Sequence, residues 1–262
     1  MISAVFSLAI AFATPVFADK PDETALQALW TSQEKDAGNH TALAQAAAAF
    51  EQHFATSPLV PVARGIGAWH LLESGDFDGA KLVLEKMASA GADPVGAIGA
   101  EMARRWLTRL DREQVVIALQ KVYAGDLEYP ESLSAVSALP AEYRPPLADR
   151  WGVAWTYTAG SFKKLQTGER QTFTLESPKL GATSDLKQAL AQPYGTGFTF
   201  KPTKVMPSIG GKAVIVFQDA AGRTDTVSEG SAGSDLGLAY VGDEVLILGG
   251  GDYWSIQPRP SS

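Results

Sequence analysis

Three histidines are the first side chains to consider for metal binding or acid–base chemistry, because imidazole serves both near neutral pH. His40, His53 and His70 fall on predicted helices, and no two of them are four residues apart. A metal site needs two or more converging ligands, so we predict that these histidines lie on helix surfaces. The chain has no cysteine, which excludes thiol catalysis, thiolate metal sites and disulfides.

Paired carboxylates could support glycoside hydrolysis or hold Ca²⁺. Asp219 with Asp225, and Asp243 with Glu244 and Asp252, fall at the ends of predicted strands. No Asp-x-Asp-x-Asp spacing supports a Ca²⁺ loop. We therefore favour solvated turn carboxylates over a site, and we predict no cofactor.

Serine and glycine clusters suggest turns. A catalytic serine between Gly230 and Ser234 would need a histidine to activate it, and the sequence has no histidine after His70. The glycines 249–251 are not followed by a predicted helix or by the Lys-Ser/Thr pair of a phosphate-binding loop. We predict that the protein is not an enzyme.

Aromatic side chains are the remaining candidates for ligand binding. Trp151, Trp155 and Tyr157 alternate along one predicted strand and would share a face. That face is either the core of a sheet, which we favour, or an exposed platform for carbohydrate or protein. Trp254, in the last predicted strand, joins them as a candidate partner or ligand face.

The N-terminus predicts export. Residues 1–18 are uncharged, run apolar from Val5 to Ala13, and end in Val16-Phe17-Ala18, with small residues where a signal peptidase cleaves. No other segment is long enough to span a membrane. The net charge of −7 argues against nucleic acid and anionic membrane surfaces as partners. We predict a periplasmic or extracellular protein without a membrane span after cleavage.

The mature chain divides into a helical and a β-rich half, which predicts an α+β fold. From Glu23 to about Val136 the apolar spacing is helical, with short turns that make neighbouring helices antiparallel hairpins. Its last two helices are predicted from Val95 to Leu107 and from Asp111 to Tyr123. After Pro140, short β-forming runs bounded by turn residues predict antiparallel sheet or a small barrel, interrupted by one helix from Ser184 to Leu190.

Residues 49–90 resemble tetratricopeptide-type repeats. The matching positions close one helix, allow close helix crossing and open the next helix; they are Phe54, Pro58, Ala63, Gly67, Gly75, Phe77 and Ala80. An irregular helical bundle is the alternative.

Residues 103–175 resemble the globular part of type II secretion major pseudopilins. The matches are Leu119, Tyr123, Tyr129-Pro130, Ser132-Leu133, Asp149, Trp151-Gly152 and Tyr157, with Arg150 in place of the usual proline. The long apolar N-terminal helix of a filament subunit is missing, so the resemblance implies a protein that contacts such a machine. Pseudopilins of this type often bind Ca²⁺ in a later loop, and the corresponding stretch here contains Glu176, Ser177 and Asp185. Because this stretch offers few oxygen ligands, we favour solvated turn carboxylates over a Ca²⁺ site.

Residues 210–258 resemble the periplasmic homology region of type II secretion clamp and pilus alignment proteins. The matches are Ala213 to Phe217, Gly222, Val227, Gly230, Leu238, Val241, Asp243, Val245 to Leu248 and Trp254 to Ile256. Both resemblances imply the same envelope machinery.

These observations predict four parts: a signal peptide (1–18), a helical-repeat region (19–110), a pseudopilin-like α/β unit (111–200) and a small β module (201–262). The function that we favour is a periplasmic, non-enzymatic scaffold or adaptor of a type II secretion or pilus-like machine, acting through protein–protein contacts. Binding of cell-wall polysaccharide by the aromatic strand is the alternative, and a carboxylate-based hydrolase is a second one.

Overall fold

The computed structural model describes residues 20–165, 168–195, 201–209, 212–230 and 237–260. Of residues 164, 165, 168–170 and 207–209 only the backbone is described. The predicted export signal, residues 1–18, lies outside the described residues.

The first half of the chain forms successive helices that pack on one another in chain order. They are α1 (Pro21–Lys35), α2 (His40–His53), α3 (Val60–Glu73), α4 (Phe77–Ala88) and α5 (Pro94–Asp126). Proline in the first turn suits α1, α3 and α5, because the first amides of a helix have no partner. Asp76 and Asp93 cap α4 and α5 through the backbone N–H groups of Gly79 and Gly96. None of the helices in the described ranges is long and apolar enough to cross a membrane.

The two predicted helices at Val95–Leu107 and Asp111–Tyr123 are one helix, α5, of 33 residues. No glycine or proline interrupts the chain between them. Asp111 starts no new helix, because its carboxylate is buried and pairs with Arg150 across 2.9 Å. The predicted boundary after residue 110 therefore falls inside a continuous helix.

The second half supplies three antiparallel sheets, which confirms the α+β class. β1 (Thr156–Leu165) pairs with β2 (Gly168–Glu176); β3 (Lys201–Ile209), β4 (Lys212–Gln218) and β5 (Thr224–Ser228) form a second sheet; β6 (Gly237–Val241), β7 (Val245–Gly250) and β8 (Tyr253–Pro258) form a third. The helix predicted from Ser184 to Leu190 is a 3₁₀ turn, Gly181–Ser184, followed by the short α6, Leu186–Leu190. Two further 3₁₀ turns, Leu133–Ala138 and Ala141–Tyr143, follow α5.

The second half of α5 packs against the β1–β2 hairpin. Their shared cluster contains Val115 and Leu119 of α5 together with Trp155 and Leu175. The ring centroid of Tyr129, which follows α5, lies 4.6 Å from that of Tyr123, in a tilted contact, and 4.7 Å from that of Phe173, in an edge-to-face contact. Leu119, Tyr123, Tyr129, Leu133 and Tyr157 thus lie in one cluster around the end of α5, whereas Trp151 lies apart, with its indole on Glu101 in the first half of that helix.

The third sheet is buried on both faces. Val245 and Ile247 of β7 pack into the core of the helices, whereas Leu246 and Leu248 pack against the β3–β5 sheet. This alternation follows from the two-residue period of a strand. The C-terminal strands therefore complete the core of the helical half, and the predicted parts 19–110 and 201–262 share one interior.

Candidate functional site

An apolar groove lies beside the second half of α5. Because α4 has 12 residues and α5 has 33, α5 runs past the start of α4. The face of α5 that lines the groove carries the buried Leu110 and the exposed Gln114 and Ile117, at the four- and three-residue spacing of one helix face. The first turn of α4 and the short α6 form the other walls, and the groove encloses about 720 Å³.

The groove is lined mainly by carbon. Leu72, Leu110, Leu186 and Leu190 form its apolar lining together with Phe77 and Ile117. Phe77 is 47% and Ile117 52% exposed, although both are large apolar side chains on well-packed helices. Exposed apolar side chains that line a concave surface are typical of a binding groove rather than of scattered surface residues.

Charged side chains of both signs ring this groove. Glu73 and Asp78 lie at the α3–α4 corner, Lys81 lies one turn further along α4, and Lys187 lies on α6. Within the described part of the chain, none of these four takes part in an ion pair. They are free to meet charges on a bound molecule.

Glu113 lines the groove on α5. Burial raises the pKa of its carboxyl group, and the positive charge of Arg112, which donates to Glu113 across 2.9 Å, offsets part of that effect. A carboxylate desolvated in this way interacts more strongly with a donor than one in bulk water.

A histidine pair lies on α2 and α3. The Nδ1 atoms of His40 and His70 are 3.0 Å apart, and His70 Nε2 contacts the side-chain oxygen of Gln33 on α1. An amide oxygen only accepts hydrogen bonds, so Nε2 of His70 carries its proton. Its Nδ1 is then the acceptor for the Nδ1–H of His40.

The predicted surface placement is wrong for His70, which is fully buried, and only His53 is exposed. Burial lowers the pKa of His70 to about 4, and the neighbouring His40 contributes to the same effect. The pair therefore tolerates an added proton poorly.

We expect the free energy of unfolding to fall as the pH drops from about 6.5 to about 4. The unfolded chain takes up the His70 proton near the ordinary pKa, whereas the folded chain resists it, so protons favour unfolding across this window. The loss is about 3 kcal/mol by pH 4. Urea unfolding at several pH values measures this loss. The free energy of unfolding should depend less steeply on pH in His70→Gln, and its pH dependence should be unchanged in His53→Gln. An unchanged slope in His70→Gln contradicts this prediction.

The four candidate aromatic residues do not gather on one exposed face. Trp155 is buried and donates to the carbonyl of Pro146, and Trp254 is fully buried. Tyr157 is half-buried, with its hydroxyl donating to the carbonyl of Pro130. The expected alignment of Trp151 along the same strand is corrected, because β1 begins at Thr156 and Trp151 lies in the preceding turn.

The carboxylates singled out from the sequence are held in separate contacts. Asp219 pairs with Arg223 in the hairpin between β4 and β5. Asp225 accepts from the backbone of the next residue. Asp243 pairs with Lys20, and Glu244 accepts from the Thr24 hydroxyl. Asp252 receives two hydrogen bonds from Arg109.

In the loop considered for Ca²⁺, the side chains of Ser177 and Asp185 are likewise engaged in contacts within the protein. The Ser177 hydroxyl donates to Asp149, and Asp185 caps α6 and pairs with Arg112. Among the described residues, no three His, Asp or Glu side chains converge as a metal site would require. Of the Gly230–Ser234 stretch only Gly230 is described.

The sequence interpretation missed both the groove and the histidine pair. Ile117 offered one signal, because it is apolar yet lies off the α5 stripe of Val115, Ala118 and Leu119. His70 offered another, since it falls within the apolar run from Ala68 to Leu72.

No protein-family model, curated protein or solved structure matches the chain.

Proposed function

We propose that the protein is an exported, non-enzymatic adaptor that docks an amphipathic helix of a protein partner in the groove between α4, α5 and α6. The observation that carries this proposal is the exposure of Phe77 and Ile117 in a groove with a volume of about 720 Å³. A volume of this order is typical of ligand sites.

A helix suits this groove better than an extended strand. Among the described residues, its lining comes from helices and no strand edge contributes to it, so we do not expect the partner to be held by backbone pairing with a sheet. The face of α5 from Leu110 to Ile117 is about 10 Å long at the helical rise per residue. It offers the ridge that another helix packs against. A partner helix of about two turns, with apolar residues three and four apart, would cover both exposed side chains.

The charges around the groove define the partner further. Glu73 and Asp78 at one corner favour a basic side chain, and Lys187 on α6 favours an acidic one. The partner that fits is therefore an amphipathic helix whose apolar stripe is flanked by charges of both signs.

The cellular setting comes from the sequence. The apolar stretch of residues 1–18 supports export, and the resemblances over residues 103–175 and 210–258 support an association with type II secretion or a related pilus-type machine. Such machines are built on protein–protein contacts, which agrees with a docking groove. The glycan-binding alternative has less support, because Trp155 and Trp254 are buried.

We expect Ile117→Lys to abolish partner docking while leaving the fold intact. A lysine there would put a charge into the apolar contact, and substitutions at exposed sites usually change stability by less than about 0.5 kcal/mol. Leu82→Lys is the matched control, because Leu82 is 62% exposed on α4 and does not line the groove.

The measurement is affinity capture by the chain from Asp19 to Ser262 out of detergent-solubilised envelope, read by mass spectrometry. A secretion or pilus component retained by the unmodified chain and by Leu82→Lys, but reduced about tenfold or more by Ile117→Lys, supports the proposal. Equal recovery by all three chains, or recovery of no such component, contradicts it. The captured component then supplies the helix for a direct binding measurement as a synthetic peptide.

A further inference from the structure

The His40–His70 pair lies close to one end of the groove along α3. His70 is on α3 two residues before Leu72, which lines the groove. The neighbouring Trp69 contacts Tyr194, with ring centroids 5.3 Å apart, and Tyr194 follows α6 by four residues. Two aromatic rings thus connect the histidine pair to the segment that follows α6, and α6 is a wall of the groove.

The contact between the histidines depends on a single proton. His70 Nε2–H donates to Gln33, and His40 Nδ1–H donates to His70 Nδ1 across 3.0 Å. A proton added to His70 would go to Nδ1, its only free nitrogen. Two N–H groups would then face each other, and this hydrogen bond between α2 and α3 would be lost, whereas the two from Arg64 to Glu51 would remain.

The surroundings do not stabilise the resulting positive charge. The pair is faced by Gln33 from α1 and by Trp69 from α3, and Trp69 contacts both imidazoles. Tyr194, beyond Trp69, is a phenol whose pKa is raised by burial, so it stays neutral. Within the described ranges, no carboxylate hydrogen-bonds either ring. An imidazolium here must either leave the interior or draw water into it.

Trp69 packs between the two imidazoles and Tyr194, so a displacement of the histidines would also displace the indole. The ring centroid of Trp69 lies 5.8 Å from that of His40 and 4.9 Å from that of His70. Its indole N–H is buried and makes no hydrogen bond within the described part of the chain. No polar contact thus fixes the indole, and it can shift when the imidazoles separate.

We propose that protonation of the His40–His70 pair releases Trp69 and Tyr194, loosens the α6 wall and so frees a docked helix in acidic surroundings. This regulation rests on the docking function proposed above. An exported protein meets the pH of its surroundings more directly than a cytoplasmic one, which gives the device a use.

Site-specific labels can test the release without any partner. The chain has no native cysteine, so Gln114→Cys on α5 and Lys187→Cys on α6 accept one nitroxide each. Both native side chains are exposed and lie on opposite walls of the groove. Double electron–electron resonance then reports the separation of the two walls as the pH is lowered from 7.5 to 4.

We expect one narrow distance at pH 7.5 and a second, longer component that grows as the pH falls towards 4. His70→Gln in the labelled chain should remove the longer component, because glutamine does not titrate. His53→Gln should keep it. Where His70→Gln fails to fold, His40→Gln tests the same contact.

A distance distribution that does not change with pH overturns the proposal, and so does an equal change in His70→Gln. Neither result bears on the Ile117→Lys docking experiment, which is performed at neutral pH. Failure of the switch and failure of the groove are therefore distinguishable.

Discussion

Replacing Trp254 with alanine should lower the free energy of unfolding by about 3–5 kcal/mol, in a single transition that the helices and the C-terminal strands share. Trp254 lies on β8 and is fully buried in the core that contains the helices. Its loss leaves a cavity between α3, α5 and the third sheet, and surrounding side chains fill such a cavity only in part.

Three glycines make room for this indole. A Cβ atom on Gly65 of α3 would lie 2.5 Å from Trp254 Nε1, and one on Gly99 of α5 would lie 3.4 Å from Cζ2. Gly249 of β7 faces the opposite edge of the ring just as closely. Glycine within a helix costs about 1 kcal/mol relative to alanine, so its use at both helix positions indicates how much the ring contributes to packing.

The indole nitrogen itself contributes little to this contact. Among the described residues Trp254 Nε1 has no hydrogen-bond partner. Trp254→Phe should therefore destabilise much less than Trp254→Ala, since it keeps a ring between the helices. Trp151→Ala is the matched control, because that indole is half-exposed and donates to Glu101 at the surface.

Urea unfolding followed by circular dichroism and by tryptophan fluorescence provides the measurement. Coincident transitions that move together in Trp254→Ala support one shared core. A helical transition that stays in place while the strand signal moves would show that the predicted helical and β parts fold independently.

The strands were the most predictable part of the fold. The run Val245-Leu246-Ile247-Leu248 is continuously apolar, which is typical of a strand covered on both faces. The structure covers both faces, with the helices on one side and the β3–β5 sheet on the other. Local pattern was sufficient here, because both the period of a strand and its turn residues are local properties.

The groove and the shared core could not be predicted in the same way. The groove results from the unequal lengths of α4 and α5, and the sequence interpretation divided α5 at Asp111. Asp111 instead pairs with Arg150, 39 residues away. Trp254 packs against Gly65 and Gly99, far away in the chain. Such contacts follow from the tertiary arrangement, and the local sequence pattern does not predict them.

The second large effect is expected at Asp252, where Asp252→Asn should lower the free energy of unfolding by about 3–5 kcal/mol at neutral pH. Both carboxylate oxygens accept from Arg109, each across 2.8 Å, and Arg105 donates across 2.7 Å. Arg109 is fully buried. An asparagine would leave its guanidinium buried without a counter-charge.

The destabilisation caused by Asp252→Asn should depend on pH in a defined direction. Burial by itself would raise the pKa of Asp252, but the hydrogen bonds and charges of Arg109 and Arg105 outweigh it and hold the pKa below its usual value. The stabilisation is thus complete above the unfolded pKa of about 4 and is lost as the pH falls through the folded pKa. The difference between the unmodified chain and Asp252→Asn should therefore shrink in strong acid.

Asp243→Asn provides the matched control for this carboxylate. Asp243 is 47% exposed and pairs with Lys20 across 3.1 Å at the surface, so its loss should cost at most about 1 kcal/mol. Urea unfolding at pH 7.5 compares the two variants. If they are destabilised equally, the Arg109–Asp252 contact is no stronger than a surface ion pair. If instead Asp252→Asn alone is strongly destabilised, a buried charge pair close to Trp254 holds α5 to the turn between β7 and β8, and the C-terminal strands support the α5 wall of the groove.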